Sequence, residues 1–192
     1  MKVIGLTGSI AMGKSTVSKM IRRQYQLPVW DADLEVHNLY REDKCLIEKI
    51  ASAFPGVVED EAVNRRKLME ALLLTPERLS ELNDIVHGPL GHRGQDFIKR
   101  WRRARFVILD VPLLYEIGWD IWCDKVIVVA APTFIQAQRL IKRSQLNQKR
   151  MQFFIRNQMS SEEKQQLADH VILSGLSKNY TFAQLKQVFS GL

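Results

Sequence analysis

Cysteine is scarce in this chain: Cys45 and Cys123 are the two among 192 residues, and they lie far apart in sequence. That scarcity excludes a disulfide framework and a thiolate metal site, which needs closely spaced ligands. Both cysteines are expected to be buried thiols. His37, His87, His92 and His170 form no metal-spaced cluster. Long apolar runs are missing as well, since no stretch reaches the roughly 18 consecutive apolar residues of a membrane span. Met1-Lys2 leads directly into Val-Ile-Gly-Leu, with neither a basic leader nor a cleavage site. The expectation is a cytoplasmic protein that contacts no membrane. Pro/Gly/Ser linkers, internal repeats and low-complexity tracts are also lacking, so composition marks no domain boundary. A length of 192 residues suits one compact domain, as a monomer or small homo-oligomer.

What is present is a globular composition, 46% hydrophobic and 26% charged, with a formal net charge of +7. The positive balance suits nucleic acid, and equally a polyanionic small substrate with its nucleotide. No nucleic-acid module or basic repeat interleaved with aromatics is visible, so no nucleic-acid partner is expected. The basic run from Lys99 to Arg103 reads as the solvated end of a helix. Trp30, Trp101, Trp119 and Trp122 read as packing residues, although one of them could stack on an adenine.

Five apolar runs read as short buried strands: Val3 to Leu6, Val29-Trp30, Phe106 to Val111, Val126 to Ala130 and Val171 to Leu173. Helical spacing fills the intervals at Ser15 to Gln24, Leu34 to Phe54, Arg65 to Arg103, Thr133 to Gln158 and Thr181 to Phe189. This alternation predicts an α/β fold with a five-stranded parallel sheet covered on both faces. Two segments exceed a minimal alternation. Residues 34–103 read as a helical insertion over the substrate, punctuated at Pro55-Gly56, Thr75-Pro76 and Gly88-Pro89. Residues 133–158, rich in Arg, Lys and Gln, read as a lid. The core is then 1–33, 104–132 and 159–192. Ser160 and Glu163 have capping-box spacing and are expected to start a helix.

Gly8-Ser-Ile-Ala-Met-Gly13-Lys14-Ser15 matches G-x-x-x-x-G-K-[ST] between a strand and a helix, the setting of a P-loop. Such a loop turns consecutive backbone N–H groups toward phosphates, so Gly8, Ala11, Met12, Gly13, Lys14, Ser15 and Thr16 are candidate ATP-binding residues. Lys14 would reach the β- and γ-phosphates, and the Ser15 hydroxyl would hold Mg²⁺. Asp31-Ala-Asp33 follows the second strand, at the edge where open α/β sheets bind ligands. A kinase acting on a hydroxyl needs a carboxylate beside the acceptor oxygen, and Asp33 is assigned that part. Asp31 is read as structural or near the metal, and the same pair equally suits a helix N-cap. Asp110 ends an apolar run as a Walker-B carboxylate does, and is the second candidate Mg²⁺ ligand. Arg139 and Arg143, four residues apart, share a helix face and could spread over a transferring phosphoryl group, or simply form a solvated basic face.

On these residues the chain resembles the dephospho-coenzyme A kinase family. The likeness runs through Ile4 to Thr16, Asp31-Ala-Asp33 with His37, Asn64-Arg65-Arg66-Lys67-Leu68, Asp110-Val-Pro-Leu-Leu-Tyr-Glu116, Gln138-Arg139-Leu140 with Arg143, Gln158 and Ala168-Asp169. The resemblance implies a P-loop kinase core with a CoA-binding helical region and a lid. It also implies transfer of the ATP γ-phosphoryl group to the 3′-hydroxyl of dephospho-CoA, the last step of coenzyme A synthesis. It gives Asp33 the part of base, Lys14 and Arg139 that of phosphoryl stabilisers, and places His37, Arg65 and His87 on the acceptor side. Ser9, Ala11 and Met12 depart from the family's glycine-rich loop, and the cradle is expected to survive so long as Ala11 is not required at positive φ. Phe154 stands where an arginine is expected four residues before Gln158. Arg156 points about 200° around the helix from it. An asparagine expected near Ser174 is absent. The alternatives are another small-molecule P-loop kinase, such as a nucleoside monophosphate kinase, and a nucleotide-binding relative without turnover.

Overall fold

The computed structural model describes residues 1–142 and 148–192, the side chains of 148–151 excepted. The chain divides into two compact units, residues 1–30 with 101–192, and residues 31–100.

The first unit is built on a parallel sheet. Its strands are β1 (Lys2–Thr7), β2 (Val29–Asp31), β5 (Phe106–Asp110), β6 (Lys125–Ala130) and β7 (His170–Leu173), in the spatial order β2-β5-β1-β6-β7. Each strand matches an apolar run of the sequence to within about two residues. Side chains alternate across the sheet, so Ile4 and Leu6 of β1, Ile108 of β5 and Ile127 and Val129 of β6 share one buried face. Val17 of α1 (Lys14–Met20) covers that face, together with Ile21 in the π-helical turn Ile21–Tyr25 and Leu185 and Phe189 of α9 (Lys178–Gly191). On the edge of the sheet Trp30 packs on Trp119, which stacks on Trp122 at 4.6 Å. Trp101, by contrast, is exposed.

The strand order fixes where a ligand can enter. The chain leaves β1 toward β2 and β5 on one side and reaches β6 and β7 on the other, so the carboxyl end of β1 is a topological switch point. The segment read as one lid helix forms α6 (Thr133–Lys142) and α7 (Gln148–Arg156). Helix α8 (Ser161–Leu167) opens with the expected capping box: the Ser160 hydroxyl accepts from the Glu163 N–H, and the Glu163 carboxylate accepts from the Ser160 N–H.

The second unit holds α2 (Ala32–Glu42), α3 (Lys44–Ala53), a hairpin of β3 (Val58–Glu59) and β4 (Ala62–Val63), α4 (Arg65–Leu74) and α5 (Leu79–Arg100). Three features differ from the sequence reading. The expected helix over 34–54 is two helices, because Asp43 leaves helical geometry and caps α3 through the Leu46 N–H. The hairpin was not anticipated: its turn residues Asp60 and Glu61 take φ of 49° and 59°, as a primed turn requires, without the Asn or Gly that announces one. Gly88-Pro89 breaks nothing, since α5 runs through it and buries Leu82, Val86 and Leu90 along one face. A proline removes one N–H from the helix ladder, and the packed stripe on both sides of it holds the helix together. Among the described residues no helix is long and apolar enough to cross a membrane.

Candidate active site

The loop that follows β1 is shaped by close approaches. A side chain at Gly8 would bring its Cβ to 2.5 Å from the Val129 carbonyl oxygen, so only glycine passes so near β6. Gly13 has φ of 96°, and a Cβ there would collide with the Ser174 side chain. Between them Ala11 is buried at φ 61°. The condition set for it by the sequence is therefore not met: the position does take a left-handed conformation, which costs a non-glycine residue about 1–2 kcal/mol. The turn is held nonetheless. The Met12 N–H donates to Ser9 O (3.2 Å), Gln136 Nε2 to Ile10 O (2.9 Å), Arg139 Nη1 to Ala11 O (3.1 Å) and the Ser174 hydroxyl to Met12 O (2.5 Å). Gln158 Oε1 accepts from the Ile10 N–H at 3.0 Å. Ser15 and Thr16, at the start of α1, are exposed.

Lys14 and Asp110 meet across the sheet. The ammonium lies 2.6 Å from Asp110 Oδ1, with the carboxylate side chain 3% exposed. Behind this pair lies a second one that sequence reasoning missed. Lys164, fully buried, donates to Glu116 Oε1 at 2.9 Å and to Pro112 O at 2.8 Å. Burial pushes the Lys164 pKa down against the opposing pull of Glu116. Glu116 Oε1 also accepts from the Met159 N–H, and the Thr7 hydroxyl donates to Pro112 O. These bonds tie the segment after β5 to the turn before α8 and to the end of β1. Lys164 escaped notice because Ser-Glu-Glu-Lys-Gln-Gln-Leu reads as a solvated helix.

Arg139 spends both terminal nitrogens on protein oxygens. Beyond Ala11 O, it donates to Ser174 Oγ at 3.1 Å and Ser174 O at 2.6 Å. Arg143 lies outside the described residues. Phe154 is half-buried, its ring 6.0 Å from that of Phe153 in an edge contact, and Arg156 is exposed.

In the second unit Asp31 caps α2 through the Leu34 N–H (3.2 Å), and Asp33 sits exposed in the first turn of that helix. His37, one turn further, is half-buried, and its Nδ1 has no hydrogen-bond partner among the described residues. Arg65 opens α4 after the Asn64 cap and is exposed. Tyr40 is pushed up to about 12 by burial, with the Arg65 charge opposing. His87, half-buried on α5, is pushed down by burial, with Asp84 opposing. Arg93 of the same helix bridges Glu35 and Glu42 of α2. Cys45 is exposed, contrary to expectation, because it lies at the start of α3 while Leu46, Ile47 and Ile50 take the inner face. Cys123 is mostly covered, and burial pushes its thiol up to about 12.

The family model for dephospho-CoA kinase matches residues 2–178. A dephospho-CoA kinase of Zymomonas mobilis is 39% identical over 188 residues, 98% of this chain and 95% of its own. A crystal structure from Thermus thermophilus superposes with a TM-score of 0.82 at 33% identity, covering 100% of this chain and 97% of its own. The dephospho-CoA kinase of Campylobacter jejuni gives a TM-score of 0.71 at 23% identity, covering 98% and 95% of the two chains, a likeness of fold. This chain belongs to the dephospho-CoA kinase family.

In this member of the dephospho-CoA kinase family the first unit brings together Gly8, Ala11, Met12, Gly13, Lys14, Asp110 and Arg139. Asp33, His37, Arg65 and His87 all fall in the second unit. Gln136 and Ser174 were not singled out from the sequence as site residues. The available signals were that Gln136 and Arg139 are three apart and so share a helix face, and that the asparagine expected near Ser174 is absent.

Proposed function

We propose that this protein is a dephospho-CoA kinase, transferring the γ-phosphoryl group of ATP to the 3′-hydroxyl of dephospho-CoA. The observation that carries the reading is the contact of Lys14 with Asp110 at the switch point of the sheet, beside a loop whose carbonyls are tied away. Phosphoryl transfer asks mainly for positioning and charge stabilisation. Lys14 and the loop N–H groups, with those of Ser15 and Thr16, hold the phosphate chain of ATP. Arg139 brings a permanent positive charge to the same loop.

The donors at this site suit Mg²⁺, which prefers hard oxygens and few protein ligands beside the phosphates. We assign it the exposed Ser15 hydroxyl and the Asp110 carboxylate. Once bound, it would neutralise charge on the phosphate oxygens. Asp33 orients the acceptor hydroxyl and takes its proton. His37, Arg65 and His87 line the acceptor side, residues 34–103 form the CoA-binding region and 133–158 the lid. The free thiols Cys45 and Cys123 fit a cytoplasmic enzyme.

A coupled ADP-release assay with dephospho-CoA, nucleoside monophosphates and shikimate as acceptors tests the assignment. ADP release with dephospho-CoA supports it. Turnover with another acceptor and none with dephospho-CoA overturns it.

A further inference from the structure

Four consecutive carbonyls of the loop, from Ser9 to Met12, each have a donor of their own. Only the first is satisfied within the loop, by the Met12 N–H. The other three are held by side chains that arrive after β6: Gln136 and Arg139 on α6, and Ser174 just past β7. Ser174 also accepts from Arg139 Nη1, so its hydroxyl is oriented while it donates to Met12 O.

The consequence follows from peptide geometry. A trans peptide is planar, with its C=O and N–H on opposite edges. The Ile10 carbonyl shares its plane with the Ala11 N–H, and the Met12 carbonyl shares its plane with the Gly13 N–H. Gln136 and Ser174 therefore fix the direction of those two N–H groups before any anion arrives. Ala11, held at φ 61° without being a glycine, would relax readily if the ties were cut.

We propose that Gln136 and Ser174, the latter braced by Arg139, are positioning residues that pre-set the loop for a polyphosphate chain without touching it. This rests on the reading that the loop binds ATP. An untied loop must be ordered at the moment of binding, and that ordering weakens affinity. Each tie, worth one hydrogen bond, corresponds to a loss of about threefold to tenfold in affinity.

Calorimetric titration of the wild type, Gln136→Leu, Ser174→Ala and Ser174→Thr with ATP and with inorganic tripolyphosphate tests the proposal, alongside a melting curve for each. Gln136→Leu and Ser174→Ala are expected to bind both probes about threefold to tenfold more weakly. Ser174→Thr keeps the hydroxyl and restores affinity to near that of the wild type. The KM for dephospho-CoA at saturating ATP stays unchanged. Binding of both probes within about twofold of wild type by the folded variants overturns the proposal, as does weakening confined to ATP, which would point to contact with the nucleoside. If Ser174→Ala does not melt cooperatively, Gln136→Leu decides alone. A wild type that binds both probes but releases no ADP with dephospho-CoA removes the acceptor assignment and leaves the positioning role standing.

Discussion

The ammonium of Lys14 and the carboxylate of Asp110 lie 2.6 Å apart, 96 residues distant in sequence and both largely withdrawn from water. Removing one partner strands the other charge, which for a buried pair costs roughly 3–5 kcal/mol. Lys14→Met is thus expected to lower stability by about 3 kcal/mol, as well as reducing turnover by roughly 10²-fold or more for the lost charge on the phosphates. Urea denaturation and ADP release on the same preparation separate the two effects. Unchanged denaturation would mean that the pair carries no net stability.

Asp33→Asn removes the proposed base and leaves the exposed first turn of α2 isosteric. Its kcat should fall by about 10²–10⁴-fold while the Kd for ATP stays within about twofold. Single-turnover kinetics with a nucleotide titration read the split. An equal loss in both quantities would take the role of base away from Asp33.

The sheet was legible because each strand is a compact apolar run closed by a polar residue or a turn, as Phe106 to Asp110 shows. The loop was legible because its glycine spacing is a local pattern. The turn at Asp60 and Glu61 was not, since its left-handed residues are neither Gly nor Asn. Lys164 and Ser174 were hidden for another reason: each acts on a partner that is distant in sequence, 52 residues away for Pro112 and 162 for Met12. Periodicity within a helix carries no trace of such bonds. Asp33 is a candidate by its motif alone, while its neighbour Asp31 proved to be the helix cap that local chemistry suggested.

Ala11→Gly should stabilise the protein. It removes the left-handed penalty, and part of that gain is offset by the greater freedom of glycine in the unfolded chain, leaving about 0.5–1 kcal/mol. Differential scanning calorimetry should register a Tm higher by about 1–3 °C. A lower Tm would mean that the methyl group contributes more by packing than it costs in conformation.

His87 makes stability depend on pH in a defined direction. Its folded pKa lies below the ordinary 6.5 because burial disfavours the imidazolium. The unfolded chain therefore binds the proton more readily in the window just below pH 6.5, and stability falls as pH drops through it. The contribution is fully present above 6.5. His87→Gln should flatten the Tm profile in the window just below pH 6.5 relative to the wild type. An unaltered slope would show that other groups govern that window.

The order in which the loop meets its partners bears on how the chain is made. Gly8 to Thr16 are made before Gln136, Gln158 and Ser174, which follow by more than a hundred residues. During synthesis the nucleotide loop is made well before the side chains that complete its hydrogen bonds. A nascent chain that stops before Ser174 lacks the hydroxyl that holds the Met12 carbonyl, so on the proposed positioning role the loop waits for that residue to be set for nucleotide.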